Sequence, residues 1–270
     1  MDRQRRLVNY LIILLIIIIP VACILLFLLP DEIKQLLMLR SGDWNPLTFF
    51  TSIFIHLNQL HLVSNIISFL VISNIIYMIN WKTSMEKKIL KLMLLTIILI
   101  PFIYNILFNI VTTFILHDSF ISCGLSTAVA GLTGLTIPSL RVFLTEPIQN
   151  SSTSNYFSMS LTLLTISIIT VSRILELLFL TIFIITLACS LILILKIQQP
   201  ITTLIKKDLY MKLRFLVTIL ALVIYYTLVY LLFPANIVTL EGSVIDVLAH
   251  LTGLFAGIGL GTYILNFHKT

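Results

Sequence analysis

Long apolar runs separated by short polar joints account for most of this 270-residue chain. A helix needs about 20 mainly apolar residues to cross a bilayer. Eight runs suggest spans, although the fifth is short and rich in serine and threonine. They cover residues 7–29, 52–79, 89–116, 122–140, 157–172, 177–195, 215–233 and 243–265. The pattern predicts an all-α, polytopic membrane helix bundle that forms one domain over residues 1–270.

The composition agrees with this prediction. Hydrophobic residues make up 59% of the chain and charged residues only 10%, whereas soluble proteins carry about 25% charged residues. These values exclude a soluble globular enzyme, a disordered protein and a nucleic-acid-binding domain. The first apolar run, beginning at Leu7, is longer than the apolar core of a signal peptide, which has about 7–15 residues. We therefore expect an uncleaved first span.

The basic residues predict the direction of each span. If the N-terminus is cytoplasmic and all eight runs cross, only Lys34, Arg40 and Arg173 of the 17 lysines and arginines fall outside, and the other 14 fall inside. Such a bias is typical of the cytoplasmic side of membrane proteins. We expect a multi-pass protein of the cell membrane with both termini in the cytoplasm.

The region 157–196 must leave the direction of the later spans unchanged. A single crossing there would move the basic joint 196–214 to the outer side, against the charge bias. The region therefore crosses twice, or dips into the membrane and returns. We favour a helical hairpin that turns near Arg173 and Glu176.

Polar residues in apolar runs are costly in a bilayer and mark candidate functional sites. The second run holds His56, His61 and Asn65, and the last two are four residues apart, on one helix face. The fourth run begins with Gly124 and Ser126 in a G-x-S frame.

The last run contains His250, followed by glycines at positions 253, 257 and 261 that form a stripe for close helix packing. Asp246, one turn before His250, is interpreted as part of a capping box with Ser243 rather than as a catalytic acid.

The predicted topology brings these clusters to one depth. The second, fourth and last runs all pass from outside to inside, so His61, Asn65, Ser126 and His250 share a layer below the outer surface. A serine needs a base to become a nucleophile, and histidine is the usual one. Ser126 and His250 would form this pair. His61, Asn65 and a backbone N–H at the start of the fourth run would stabilise an oxyanion.

Three motifs in this order resemble the rhomboid family of intramembrane serine proteases. The motif residues are His56, His61 and Asn65 in H-x-x-x-x-H-x-x-x-N, Gly124 and Ser126 in G-x-S, and Ala249, His250, Gly253 and Gly257 in A-H-x-x-G-x-x-x-G.

The resemblance implies a six-helix core, to which the hairpin at 157–196 is an addition, and a Ser126–His250 dyad. It implies that His61 and Asn65 stabilise the oxyanion and that His56 is structural. Gly253 and Gly257 would bring the last helix against the fourth. The substrate would be a transmembrane segment of another protein, cut near its outer end.

The chain departs from the family pattern at three places. Thr127 replaces a glycine after the serine, Ala130 replaces an aromatic residue, and the W-R pair of the first outer loop is Trp44-Asn45. These departures affect the expected rate and the packing of the histidine.

Three other functional hypotheses compete with that of a protease. A catalytically silent rhomboid-like protein would bind membrane-protein clients, but both Ser126 and His250 are present. A metal enzyme using His56, His61 and His250 would lack the H-E-x-x-H motif and a neighbouring carboxylate. A transporter would explain the buried polar residues, but matched broken helices are not evident. We expect no cofactor, no metal and no nucleic-acid partner; the lipid bilayer and transmembrane substrates are the expected partners, and the sequence does not indicate an oligomeric state.

Overall fold

The fold is almost entirely helical. The computed structural model describes residues 3–81, 85–117, 119–148, 151–171, 176–234 and 246–266. Within these ranges there are ten α-helices and one short antiparallel ladder of two strands. In chain order the elements are α1 (Arg3–Phe27), α2 (Asp31–Leu37), β1 (Leu39–Arg40), α3 (Pro46–Thr51), α4 (Gln59–Asn80), α5 (Glu86–Val111), β2 (Ile121–Ser122), α6 (Ser126–Thr145), α7 (Ser151–Val171), α8 (Leu177–Lys207), α9 (Leu209–Leu232) and α10 (Val247–Asn266).

The predicted spans are helices. Of the helices in the described ranges, eight are long and apolar enough to cross a membrane: α1, α4, α5, α6, α7, α8, α9 and α10. Each predicted apolar run falls on one of them, which confirms the all-α class and fits a multi-pass membrane protein. The region 157–196 falls on two separate helices, α7 and α8. Glu176 is the N-cap of α8, whereas the predicted turn at Arg173 lies outside the described residues.

Several predicted boundaries were wrong. The second run was expected to be helical from residue 52, but a 3₁₀ turn covers Ser52–Phe54 and α4 begins at Gln59. The side chain of Asn58 accepts a hydrogen bond from the backbone N–H of His61 at 2.7 Å and caps the helix. Hydropathy missed this start because apolar residues continue on both sides of the cap.

The helices of the fourth and eighth runs also begin later than predicted. The fourth run was expected to begin at residue 122, but α6 begins at Ser126, after β2 and a turn at Gly124. At the last run, α10 begins at Val247. Ser243 lies outside the described residues, so its capping box with Asp246 stays a prediction.

The chain divides into two compact units. The first comprises Met1–Leu135 and Leu248–Ile264, and the second comprises Thr136–Val247 and Leu265–Thr270. In the first unit α1 packs against α4 and α5, and α3 packs against α5. Arg5 on α1 pairs with the buried carboxylate of Glu86 on α5. The arrangement of the two units within one domain stays a prediction.

The second unit is built on α7, α8 and α9, which pack against one another. Hydroxyl groups link these helices: Ser190 Oγ donates to the carbonyl of Ser160 at 2.9 Å, and Thr165 Oγ1 lies 2.9 Å from the hydroxyl of Tyr225. Interhelical hydrogen bonds of this kind supply attraction where lipid removes the hydrophobic driving force.

Candidate functional site

Ser126 is the first residue of α6 and is half-buried. The backbone N–H of Val129 donates to the carbonyl of Leu125 at 3.0 Å, which is the first bond of the helix. The amides of the first turn, at residues 126–128, consequently have no acceptor within the helix and carry its positive dipole end. The hydroxyl of Ser126 therefore lies beside donors that could stabilise negative charge.

Gly124 brings the second and fourth spans together. Its φ is +106°, and a Cβ at this position would lie 2.6 Å from Cε1 and 2.7 Å from Nε2 of His61. The amide nitrogen of Asn65 would be 3.7 Å away. The imidazole of His61 thus packs on the backbone of Gly124, two residues before Ser126. Asn65, whose side-chain nitrogen donates to the carbonyl of His61 at 3.0 Å, is nearly buried beside it.

His56 is buried and contacts the backbone beside the Gly124 turn. Its side chain is fully buried, Nδ1 lies 3.1 Å from the carbonyl of Phe54, and Nε2 accepts a long hydrogen bond of 3.5 Å from the N–H of Leu125. Burial and the neighbouring His61 lower the pKa of His56 to about 4. The ring is therefore neutral near pH 7, with Nδ1 as donor and Nε2 as acceptor. It lies 5.0 Å from the ring of His61, centroid to centroid.

Asn105 on α5 and Ser52 in the 3₁₀ turn, neither of which the sequence singled out, hold the turn at Gly124. The side-chain nitrogen of Asn105 donates to the carbonyl of Phe49 at 2.7 Å and to Ser52 Oγ at 3.1 Å. The carbonyl of Ser52 in turn accepts the N–H of Gly124 at 2.9 Å. A chain of hydrogen bonds thus runs from α5 through Ser52 to the residue on which His61 packs.

The first long loop is fixed to the same region. In the ladder, Leu39 pairs with Ser122 and Arg40 with Ile121. Beside it, the N–H of Ser41 donates to the carbonyl of Phe120 at 3.0 Å. These bonds tie the loop after α2 to the segment that leads into Ser126.

The departure at Trp44-Asn45 has a local structural role. The side chain of Asn45 accepts the N–H of Leu47 at 3.0 Å and caps α3, while Trp44 lies with its ring 6.5 Å from that of Phe49. Both residues thus make contacts that order the loop and the start of α3.

Glycines allow α10 to pack directly on α6. A Cβ at Gly257 or Gly134 would collide with backbone of the facing helix, and one at Gly253 would lie 2.9 Å from the Cβ of Ala130. The small side chain of Ala130 thus faces Gly253 at this close approach. The facing pairs are Gly253 with Thr127 and Gly131, Gly257 with Gly131, and Leu254 and Ile258 with Gly134.

This pairing sets the register of the two helices. Residues further along α10 face residues further along α6. The two helices therefore run parallel, with their N-termini at the same end. His250 lies one turn before Gly253, and Ser126 directly precedes Thr127. His250 is consequently level with Ser126, and only 7% of it is exposed.

The elements therefore gather the chemistry that the sequence singled out at the beginning of three helices. A hydroxyl at a helix N-terminus, a level imidazole on the parallel helix, and an imidazole and an amide over the preceding turn form a set suited to acyl transfer. Among the described residues, no group of three or more His, Cys, Asp and Glu side chains could hold a metal ion.

None of the family models, curated proteins and solved structures compared with this chain matches it.

Proposed function

We propose that this protein is an intramembrane serine endopeptidase of the rhomboid type, with Ser126 as nucleophile and His250 as general base. One observation carries the proposal. The glycine packing of α10 on α6 makes His250 level with Ser126, at the end of α6 where His61 and Asn65 cover the Gly124 turn. The resemblance of the three motifs to the rhomboid family supplies the reaction and the substrate class.

The proposed reaction has two steps. His250 accepts the proton of the Ser126 hydroxyl as its oxygen attacks the carbonyl carbon of the scissile peptide bond. The proton then passes to the leaving amine as the C–N bond breaks and an acyl-enzyme remains. Water attacks this ester with His250 again as base, which releases the new carboxylate and restores the serine.

Negative charge on the peptide oxygen is the main barrier that the site must lower. His61, Asn65 and the free amides at the start of α6 are the proposed donors. Removing one such donor costs about 3–4 kcal/mol of transition-state stabilisation in a serine protease. No carboxylate takes part in this scheme, because His250 alone accepts the proton of the nucleophile and passes it to the leaving group.

The substrate would be a transmembrane segment of another membrane protein, cut near its outer end. The two termini would be cytoplasmic, and the site would lie in the outer half of the membrane. The charge bias supports this orientation, and the resemblance to the rhomboid family supports this substrate class.

Cleavage in proteoliposomes tests the proposal. We expect Ser126→Ala and His250→Ala each to abolish cleavage of single-span substrates, because the nucleophile or its base is lost. Ser158→Ala on α7 and His117→Asn in an exposed loop remove the same groups elsewhere and should leave cleavage unchanged. A fluorophosphonate should label the parent protein at Ser126.

Two results would contradict the protease. Cleavage by Ser126→Ala at the parent rate would exclude this serine as nucleophile. A parent protein that folds and inserts but neither cleaves any substrate of a broad panel nor reacts with the fluorophosphonate would favour the silent, client-binding alternative.

A further inference from the structure

Two arginines are buried at one end of the second unit. Arg141 on α6 and Arg214 on α9 are 4% and 9% exposed. Arg214 is well partnered: Nη1 donates to the carbonyl of Phe143 at 2.9 Å, Nη2 donates to the hydroxyl of Tyr210 at 3.2 Å, and a carboxylate oxygen of Glu146 lies 3.9 Å from Nη1. Its charge is thus compensated within the chain.

Arg141 lacks this compensation. The Nε atoms of Arg141 and Arg214 are both buried without a hydrogen-bond partner, but within the described part of the chain no carboxylate forms an ion pair with Arg141. Arginine stays protonated in proteins, and a buried charge is strongly destabilising unless it is paired. The guanidinium therefore requires an anion.

The first turn of α7 lies beside this part of α6. Thr145, one turn after Arg141 on the same face of α6, donates to the carbonyl of Arg141 at 2.7 Å and lies 3.0 Å from Ser154 Oγ. Ser154 belongs to the first turn of α7, whose amides have no acceptor within the helix. Helix N-termini favour anions such as phosphate. The buried guanidinium of Arg141 and this N-terminus therefore indicate the same kind of ligand.

The charge around this end of the unit is strongly positive. The Nζ of Lys196 on α8 lies 5.4 Å from the ring centroid of Tyr156 on α7, which brings α8 to the same end. The joint from α8 to α9 adds further lysines. Among the side chains that the structure describes here, the basic residues are Arg141, Lys196, Lys206, Lys212 and Arg214, and the acidic ones are Glu146 and Asp208.

We propose that Arg141 and the first turn of α7 bind the phosphate of an anionic phospholipid headgroup. A lipid is favoured over a free phosphate because the site lies one turn from the end of a candidate spanning helix, at the depth where headgroups are concentrated. Basic clusters at such ends attract anionic lipid. This site is independent of the proposed protease, since it uses none of its residues.

Thermal unfolding of the full-length protein in a neutral maltoside detergent tests the proposal. Phosphatidylglycerol should raise the Tm of the parent saturably, by about 3 °C or more, while phosphatidylcholine and inorganic phosphate should not. Arg141→Met should be at least as stable as the parent without lipid, because an apolar side chain replaces an unpaired charge. It should gain nothing from phosphatidylglycerol.

Lys212→Met is the matched control: it removes one exposed positive charge from the same end but leaves the proposed site, Arg141 and the first turn of α7, intact, and it should therefore keep the saturable gain. Loss of the gain in this control, or the full gain from inorganic phosphate alone, would overturn the proposal. So would an Arg141→Met protein less stable than the parent without lipid, which would mean that the arginine is paired within the chain. Native mass spectrometry of the parent gives a second measurement: preferential retention of one phosphatidylglycerol supports the site, and equal retention of phosphatidylcholine contradicts it.

Discussion

Only glycine satisfies both of the constraints at position 124. Its φ of +106° is unfavourable for residues with a Cβ, and the space that a Cβ would fill is occupied by the imidazole of His61. Gly42 has a φ of +81° but nothing within 4 Å of such a Cβ. The two glycines therefore separate backbone strain from displacement of His61.

Alanine substitutions exploit this difference. Both Gly124→Ala and Gly42→Ala should lower the free energy of unfolding by roughly 1–3 kcal/mol through backbone strain. Only Gly124→Ala should also displace His61 and reduce the proposed cleavage by at least 100-fold, about the value of one oxyanion donor. Unfolding in detergent and cleavage in proteoliposomes measure the two effects. Equal activity of the two variants would contradict the role given to His61.

His56 predicts a dependence of stability on pH. Its pKa is about 4 in the folded protein and 6.5 in its ordinary state, so the unfolded chain binds the proton more readily. Stability contributed by the neutral ring is present above pH 6.5 and is lost as the pH falls towards 4. The loss is on the order of 3 kcal/mol across this window.

The midpoint of unfolding, measured from pH 7.5 to pH 4.5, checks this expectation. His56→Gln should flatten the fall in Tm, because glutamine keeps a donor and an acceptor but does not titrate. His117→Asn, in which an exposed histidine is removed, should leave the fall as it is. An unchanged slope in His56→Gln would assign the titration to another group.

At the scale of helices, the glycines of α10 differ in what they touch. Gly257 faces the backbone of Gly131 on α6, where a Cβ would collide with the carbonyl, whereas Gly259 has open space around it. The two positions lie two residues apart on the same helix, so they share its intrinsic preferences. Only packing against α6 distinguishes them.

Opposite effects of the same substitution follow. Gly259→Ala should stabilise the protein by up to about 1 kcal/mol, because alanine favours the helix over glycine. Gly257→Ala should destabilise it by about 1–3 kcal/mol through overpacking, and should reduce cleavage because the shift of α10 carries His250 away from Ser126. Unfolding free energies in detergent and cleavage rates measure both. Two variants of equal stability would mean that α10 does not pack on α6 through Gly257.

The element boundaries show what hydropathy could and could not predict. Apolar length located all eight spanning helices among the described residues, since the bilayer fixes how much apolar helix is needed. It did not locate the start of α4 or α6. Asn58 and Gly124 end the preceding segments through a side-chain cap and a positive φ, and neither feature changes the average hydropathy of a window.

At the scale of the whole molecule, candidate site residues could be proposed from the sequence, whereas Asn105, which positions the turn beside them, could not. Spacing and span direction singled out His61, Asn65, Ser126 and His250. Asn105 was missed because its partners, Phe49 and Ser52, are more than 50 residues away in the sequence. A single asparagine in an apolar run is a weak signal, and its function became visible only through those two hydrogen bonds.

The orientation of the chain decides which face of the membrane the proposed site approaches. Glu32 after α1 and Lys212 in α9 are both exposed, and if all eight spans alternate they are expected on opposite sides of the membrane. The charge bias predicts Glu32 outside and Lys212 inside. Ser126 and His250 stand at the starts of their helices, so the same bias predicts that they lie near the outer surface.

Single-cysteine labelling in whole cells measures this orientation. Cys23, Cys123 and Cys189 are first replaced by serine or alanine, and Glu32→Cys or Lys212→Cys is added. A membrane-impermeant maleimide should label Glu32→Cys in intact cells and Lys212→Cys only after permeabilisation, because the reagent reaches only the outer face. The reverse pattern would invert every span at once. It would leave the packing of α10 on α6 untouched but would move the proposed cleavage to the cytoplasmic side, which the charge bias opposes.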